Sequence, residues 1–353
     1  MKVRRLLSAV AILGTAAISL TACDPPMPPE VAAALAEQTY TCIQGDVKVS
    51  SGTDMSDLVL GWADSLTYAC VDPEPAMTIT QAETPADAQV VISDYAPECS
   101  VSASVPLAVD AGAFVYTESD LGSLNLSPAS MAGILTGTIT NWNQLAKDNE
   151  GYDMPDLPLK LFKKADTLAL KSVTDYLASQ GITLPAKLKV KAVDHLDNTD
   201  ASALPEGEMA IVPNSFAVGM GLYPANVYLG LDADKQPILA TPDVSGIQSA
   251  STQWVSSTSG STVSVKLNPA NKPLAPEGLD VAPTPYQLIY PVNLYVCGSD
   301  ELLPRAVARY LLRLDSQGAL AVSNYAPLPE AVRIQALFSI SKGLPTPKPT
   351  ATK

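Results

Sequence analysis

The sequence predicts an α/β fold, with largely parallel sheets carrying helices on both faces. Three observations lead there. Segments with apolar residues at alternate positions take turns with segments whose apolar residues recur at helical spacing. The chain is rich in Ala, Val and Leu but only 6% aromatic, with four Phe, a composition suited to helices packed closely on sheets. Its 353 residues are enough for two domains of ordinary size.

The elements follow in order. Pro29 to Gln38 reads as a short helix. Val47 and Val49 alternate with polar neighbours, as in a strand. Leu58, Val59, Trp62 and Leu66 then mark a helix, with Ser51, Thr53 or Asp54 as its expected cap. "AMTITQA", "AQVVISDYAP" and "SVPLAVDAGAFVYT" read as three strands. "LSPASMAGILTG" is a helix with Pro128 in its first turn, and "ITNWNQLAKDN" a second short helical segment. "LPLKLFKK" is a strand, and "KKADTLALKSVTDYL" leads from it into a helix. "EGEMAIVPNSFAVGMG" gives a strand, a polar turn and a helix. Ser245 to Ser264, rich in Ser and Thr, reads as a helix with a loose end or a surface loop. "TPYQLIYPVNLYVC" holds one or two strands. A long amphipathic helix then runs to a break at Gly318, with a further short helix after it. Residues 343–353 are Pro/Thr-rich and polar, and read as disordered. No internal repeat is present.

The N-terminus reads as a targeting segment. Lys2, Arg4 and Arg5 precede an apolar run from Leu6 to Leu20, too short to span a bilayer comfortably. Leu20-Thr21-Ala22-Cys23 resembles a bacterial lipobox. The resemblance implies cleavage before Cys23, acylation of its sulfur and an extracytoplasmic, membrane-anchored protein. Residues 1–22 are then the signal peptide and 23–38 a tether. Removing residues 1–22 takes away three positive charges and moves the formal charge from −14 to −17. So acidic a chain argues against nucleic acid as a partner. Cys42, Cys70, Cys99 and Cys297 remain, an even number in an exported chain, which favours two disulfides with three possible connectivities. A bridge to Cys297 would tie the end of the chain to its beginning. No metal site is expected, since Cys-x-x-Cys is missing and His195 is the only histidine.

Certain motifs are specific. "LSPASMAGILTGTITNWNQL" keeps Ile139, Asn141, Trp142 and Asn143 at the spacing of a Gly-x-Ile-x-x-Trp-Asn run. With "SNYAPLPEAV" and "TDYL" at 174–177, it resembles the phosphate-specific substrate-binding proteins of bacterial ABC importers. "EGEMAIVPNSFA" is similar more loosely. The resemblance covers about Val47 to Ile340. It implies a two-lobed periplasmic-binding protein of type 2, with two mixed sheets flanked by helices and a ligand cleft between lobes. Residues 39–106 plus 286–342 would form lobe I and 107–285 lobe II, with crossings near Leu107 and Pro285. Trp142 reads as a core residue, with Asn141 and Asn143 capping turns.

The family captures phosphate with neutral donors, an aspartate and an arginine. Three loops of this chain match those positions. Ser51, Thr53 and Asp54 follow the first strand, with N-capping as the alternative role. Ser93 and Asp94 match the Ser-Asp turn whose aspartate accepts from the protonated phosphate, or form an Asx turn at a strand end. Lys164 and Thr167 stand in the stretch where the family has Arg-Ser-Asp-x-Ser-Gly-Thr. Lysine cannot copy a bidentate guanidinium, and Leu168, Ala169 and Leu170 replace hydroxyl donors. Each lost charge-assisted bond costs about 1.5–3 kcal/mol. The Gly-Ser-Gly loop of the family is missing between Thr78 and Asp87.

Two functions follow from this resemblance. One is a lipid-anchored solute-binding protein, monomeric, that delivers phosphate or another small anion to an ABC transporter permease. The other is a divergent envelope lipoprotein that has lost phosphate binding and serves another ligand or a partner. No enzyme activity and no cofactor are expected: His195 has no Ser or Cys motif around it, and no Gly-rich nucleotide loop occurs.

Overall fold

Alternating valines build the first strands, and an aliphatic helix covers them. The computed structural model describes residues 41–52, 55–70, 76–117, 121–194, 204–205, 207–276, 278–299 and 301–345. The expected leader, Cys23, the tether, Thr53, Asp54, His195 and residues 346–353 lie outside them. Strand β1 (Gly45–Ser51) buries Val47 and Val49 and leaves Asp46 and Lys48 in solvent. Helix α1 (Ser56–Ala69) buries Leu58, Val59, Trp62 and Leu66, the four residues at helical spacing. The residue before its first turn is Met55, whose side chain makes no cap bond, and of the expected caps Thr53 and Asp54 lie outside the described residues. Strands β2 (Met77–Gln81) and β3 (Val90–Ser93) flank β1 in parallel.

The 16-residue strand β4 (Val101–Tyr116) comes next and joins the two halves of the molecule. After β5 (Asn125–Leu126), helix α2 (Pro128–Thr136) starts on Pro128, with the Ser127 hydroxyl accepting from the Ser130 N–H at 3.2 Å. Gly137 ends α2 at φ 77°, in the left-handed region glycine favours. The 3-10 segment Trp142–Asp148 carries a capping box between Asn141 and Gln144. Trp142 is fully buried, donates to the Gly207 carbonyl at 3.2 Å and meets Tyr116 edge-on. Its expected core role is thereby met.

The second half continues with β6 (Lys160–Asp166), α3 (Thr167–Ser179), β7 (Lys191–Val193), β8 (Glu208–Pro213) and α4 (Asn214–Gly219). Strands β9 (Tyr223–Pro224), β10 (Asn226–Leu231) and β11 (Pro237–Ala240) precede α5 (Val244–Ser251). The Ser/Thr-rich segment thus begins as helix α5, as one reading expected, and then forms a hairpin, β12 (Trp254–Ser259) and β13 (Thr262–Leu267), around Gly260. Val263 is buried and Val265 half-buried, with Ser and Thr facing out between them. That alternation, masked by polar composition, makes strands where a loose helix or loop was expected. The chain closes with β14 (Ile289–Cys297), α6 (Leu302–Leu311), α7 (Leu314–Gly318), a 3-10 turn at Ala319–Ser323 and α8 (Glu330–Ile340). The long amphipathic helix thus ends at Leu311, before Gly318.

The large sheet runs β2-β1-β3-β14-β4-β8-β6-β7, and β11-β10-β5 form a small second sheet. Strand β4 pairs with β14 from Val101 to Ala111 and with β8 from Gly112 to Tyr116. The lobes therefore exchange at Ala111–Gly112, where the Gly112 N–H also donates to the Leu288 carbonyl at 2.8 Å. Both lobes have a parallel centre with helices on it, as the alternation of elements predicts. The β12–β13 hairpin leans on the first half of β4 through Thr262 and Ser104, and on α6 and α8 through Arg305–Ser261 and Gln335–Thr258. Disulfides join Cys42 to Cys70 and Cys99 to Cys297. The second ties the end of β14 to the loop before β4, the long-range link foreseen for Cys297. No helix among the described residues is long and apolar enough to cross a membrane.

Candidate functional site

In an open α/β sheet, ligands lie beyond the carboxyl ends of strands, where helices begin. Four such ends matter here: Ser51 on β1, Ser93 on β3, Asp166 on β6 and Pro213 on β8. The structure uses them differently from one another.

At the end of β3, the Ser93 hydroxyl accepts from the Tyr95 N–H at 3.0 Å, making a local turn. This turn aims Tyr95 at the other lobe. Its phenol donates to Asp166 Oδ2 at 2.6 Å. The other oxygen, Oδ1, accepts from the N–H groups of Leu168 and Ala169 at 2.9 and 3.0 Å. Asp166 is the N-cap of α3 and is only 3% exposed. A short polar side chain at that position naturally caps the helix. Here the cap is an acidic side chain, placed at the positive end of the helix dipole. Burial raises the Tyr95 phenol far above its ordinary value, and the Asp166 hydrogen bond and the charges of Asp166 and Asp94 add to the rise. Tyr95 is therefore a permanent donor.

A second carboxylate sits at the lobe crossing. Asp110, 2% exposed in the middle of β4, accepts from the N–H groups of Ala111 and Ser215 at 2.7 and 3.1 Å. Its other oxygen accepts from the Ser215 hydroxyl at 2.6 Å and the Tyr290 phenol at 3.3 Å. Tyr290 is buried, and its phenol is held well above its ordinary value by burial first, then by the charges of Asp110, Asp94 and Asp166. All three aspartates act on the same tyrosine, Asp110 in direct contact. Carboxylates and tyrosines thus cluster at the crossing.

The expected ligand residues divide accordingly. Asp94 lies in the cluster, close enough to act on Tyr95, Tyr290 and Tyr295. The Ser93 hydroxyl is used within its own turn. The Ser51 hydroxyl donates to the Gly52 carbonyl at 3.2 Å. Thr167 donates to Asp194 at 2.7 Å, toward the end of β7. Lys164 is exposed and lines a groove with Lys160, Lys163 and Lys189. Among the described residues no group of His, Cys, Asp or Glu is arranged to hold a metal.

Sequence reading passed over three of the residues that build the cluster. Asp110 had a signal, as a lone acid in an apolar strand. Tyr95 and Tyr290 had none, because their partners lie 71 and 180 residues away.

Asp166→Ala removes the cap and leaves the half-buried Tyr95 phenol without its acceptor. The expected cost is about 2 kcal/mol, read from urea denaturation. A change within error of zero would mean that neither contact stabilises the fold.

No protein-family model and no curated protein matches the sequence. Solved structures do share the fold. The ancestral soluble variant of the human phosphate binding protein matches at TM-score 0.54 and 12% identity, over 82% of this chain and 93% of its own. A human phosphate binding apolipoprotein matches at 0.54 and 13%, again over 82% and 93%. A high-affinity periplasmic phosphate-binding protein, solved with phosphate, matches at 0.53 and 14%, over 82% and 92%. At such identity the likeness speaks for architecture alone, and on that evidence the chain is a two-lobed α/β protein with the fold of periplasmic phosphate-binding proteins.

Proposed function

We propose that this protein is a lipid-anchored envelope protein of binding-protein fold that captures a ligand other than free phosphate. The fold supports the solute-binding part of this reading. The leader and Cys23, with the exported-type disulfides, support its place outside the cytoplasm. One observation carries the ligand part: the Asp166 carboxylate occupies the first N–H groups of α3 and lies under Tyr95. A helix start of this kind is where an oxyanion would be held, and the chain supplies the anion itself. With Asp94 and Asp110 nearby, a phosphate dianion would enter a field of like charge. The reading in which phosphate is delivered to an ABC importer would place that anion among these carboxylates.

Calorimetry with inorganic phosphate tests the proposal on the full-length chain carrying Cys23→Ser, which prevents acylation. No binding heat is expected at millimolar phosphate. Micromolar binding that disappears in Asp94→Asn would restore the phosphate-delivery reading.

A further inference from the structure

In a chain of formal charge −14, six lysines besides Lys171, which pairs with Asp175, fall between residues 160 and 191: Lys160, Lys163, Lys164, Lys187, Lys189 and Lys191. All six are exposed. Four of them line one groove of about 730 Å³, the volume of a small-molecule site. Its apolar lining includes Ile134, Ile139, Leu159 and Phe162, and Glu208 is its single acid.

Ordinary structural roles explain part of this cluster. Strand β7 is the edge of the large sheet, and lysines along an edge prevent pairing with other chains. That accounts for Lys191. Lys189 lies across Gly137, at the carbonyl end of α2, where a cation is favourable. Lys160 and Lys163 stand on β6 before its pairing with β7 begins at Lys164, and Lys160 is in register with Glu208 of β8. The register of β6 and β7 also sets Lys164 beside Lys191, a like-charge pair that costs stability. Whatever their share in edge and helix-end roles, Lys160, Lys163, Lys164 and Lys189 concentrate positive charge around one apolar hollow.

We infer that this groove binds a small amphiphilic anion, an alkyl or aromatic body bearing one carboxylate, sulfonate or phosphate group. The apolar floor would bury the body, and Lys160, Lys163 and Lys189 would hold the head. A lysine ammonium suits a loosely oriented anionic head, since it acts as a point charge without a fixed fork. The concave shape favours a single free molecule over a flat bilayer surface. This inference rests on the proposed function for the binding role and adds a site and a ligand class to it.

Decanoate is the probe, titrated by calorimetry into the full-length Cys23→Ser chain, with decanol as the uncharged control. Saturable decanoate binding is expected, with decanol weaker by about tenfold. Binding should weaken with added salt. Lys160→Glu/Lys163→Glu should reduce affinity by about tenfold or more, and Lys160→Met/Lys163→Met by less. These positions are exposed, so both variants should melt with the parent. Silence with decanoate, equal affinity in the double variants, or binding seen only on phosphatidylglycerol vesicles and never to monomeric decanoate would overturn the inference. Inorganic phosphate is titrated in parallel. Phosphate bound and decanoate silent would overturn the proposed function as well, whereas silence from both overturns only the groove.

Discussion

The double variant Cys99→Ser/Cys297→Ser is expected to lose about 5 kcal/mol of stability, the chain-entropy value for a loop of this length. The bridge spans 198 residues of sequence, against 28 for Cys42–Cys70. Opening the shorter loop would cost nearer 3–4 kcal/mol on the same scale, so about 1–2 kcal/mol separates the two. The longer bridge also lies where two strands already meet. Cys297 pairs with Val101 in the β14–β4 ladder, and Cys99 stands two residues before Val101. It therefore confines the unfolded chain without asking the folded one to move. Urea denaturation of the two double variants, side by side, is the measurement. A loss at Cys99–Cys297 smaller than at Cys42–Cys70 would show that residual denatured structure, not loop length, governs both.

Gly112→Ala is the second large effect, expected at about 4 kcal/mol, near the top of the range for single substitutions. A Cβ at this position would stand 2.3 Å from the Ala169 carbonyl oxygen and 2.5 Å from the Ser172 hydroxyl. The nearer atom is backbone, so no side-chain rotation relieves it. Helix α3 would have to lift from β4, and Asp166 begins that helix as its cap. Gly112 also marks the exchange of β4 from one lobe to the other. The strain would therefore reach the Tyr95–Asp166 contact. A lowered thermal midpoint, with faster hydrogen exchange at Leu168 and Ala169, is the expected result. A variant that melts with the parent would mean that α3 and β4 separate at little cost.

Much of the fold was legible because it depends on periodicity. Val47 and Val49, then Leu58, Val59, Trp62 and Leu66, declared a strand and a helix, and each is buried as spaced. Trp142 and its flanking asparagines declared a packed, capped turn. The β12–β13 hairpin was hidden because Ser and Thr supply its outward faces, so its composition imitates a loop. The site was less legible for a different reason. Lys164 sits two residues before Asp166, yet β6 has an irregular register between Leu161 and Ala165. Neighbours in sequence were thus sent to different places, Lys164 into the groove and Asp166 into the cluster. Tyr95 was written beside Asp94, but only folding places it against a residue 71 positions away.

The Asp166 carboxylate changes what concentration means for this cleft. An anion fixed to the same chain competes with every free one at an effective concentration on the order of millimolar or higher. A scarce oxyanion in the surroundings cannot dilute it, wash it out or wait for it to leave. On the proposed reading, selectivity against phosphate needs no steric barrier. One covalent tether, three atoms from the backbone, would leave the pocket occupied in every molecule from the moment it folds.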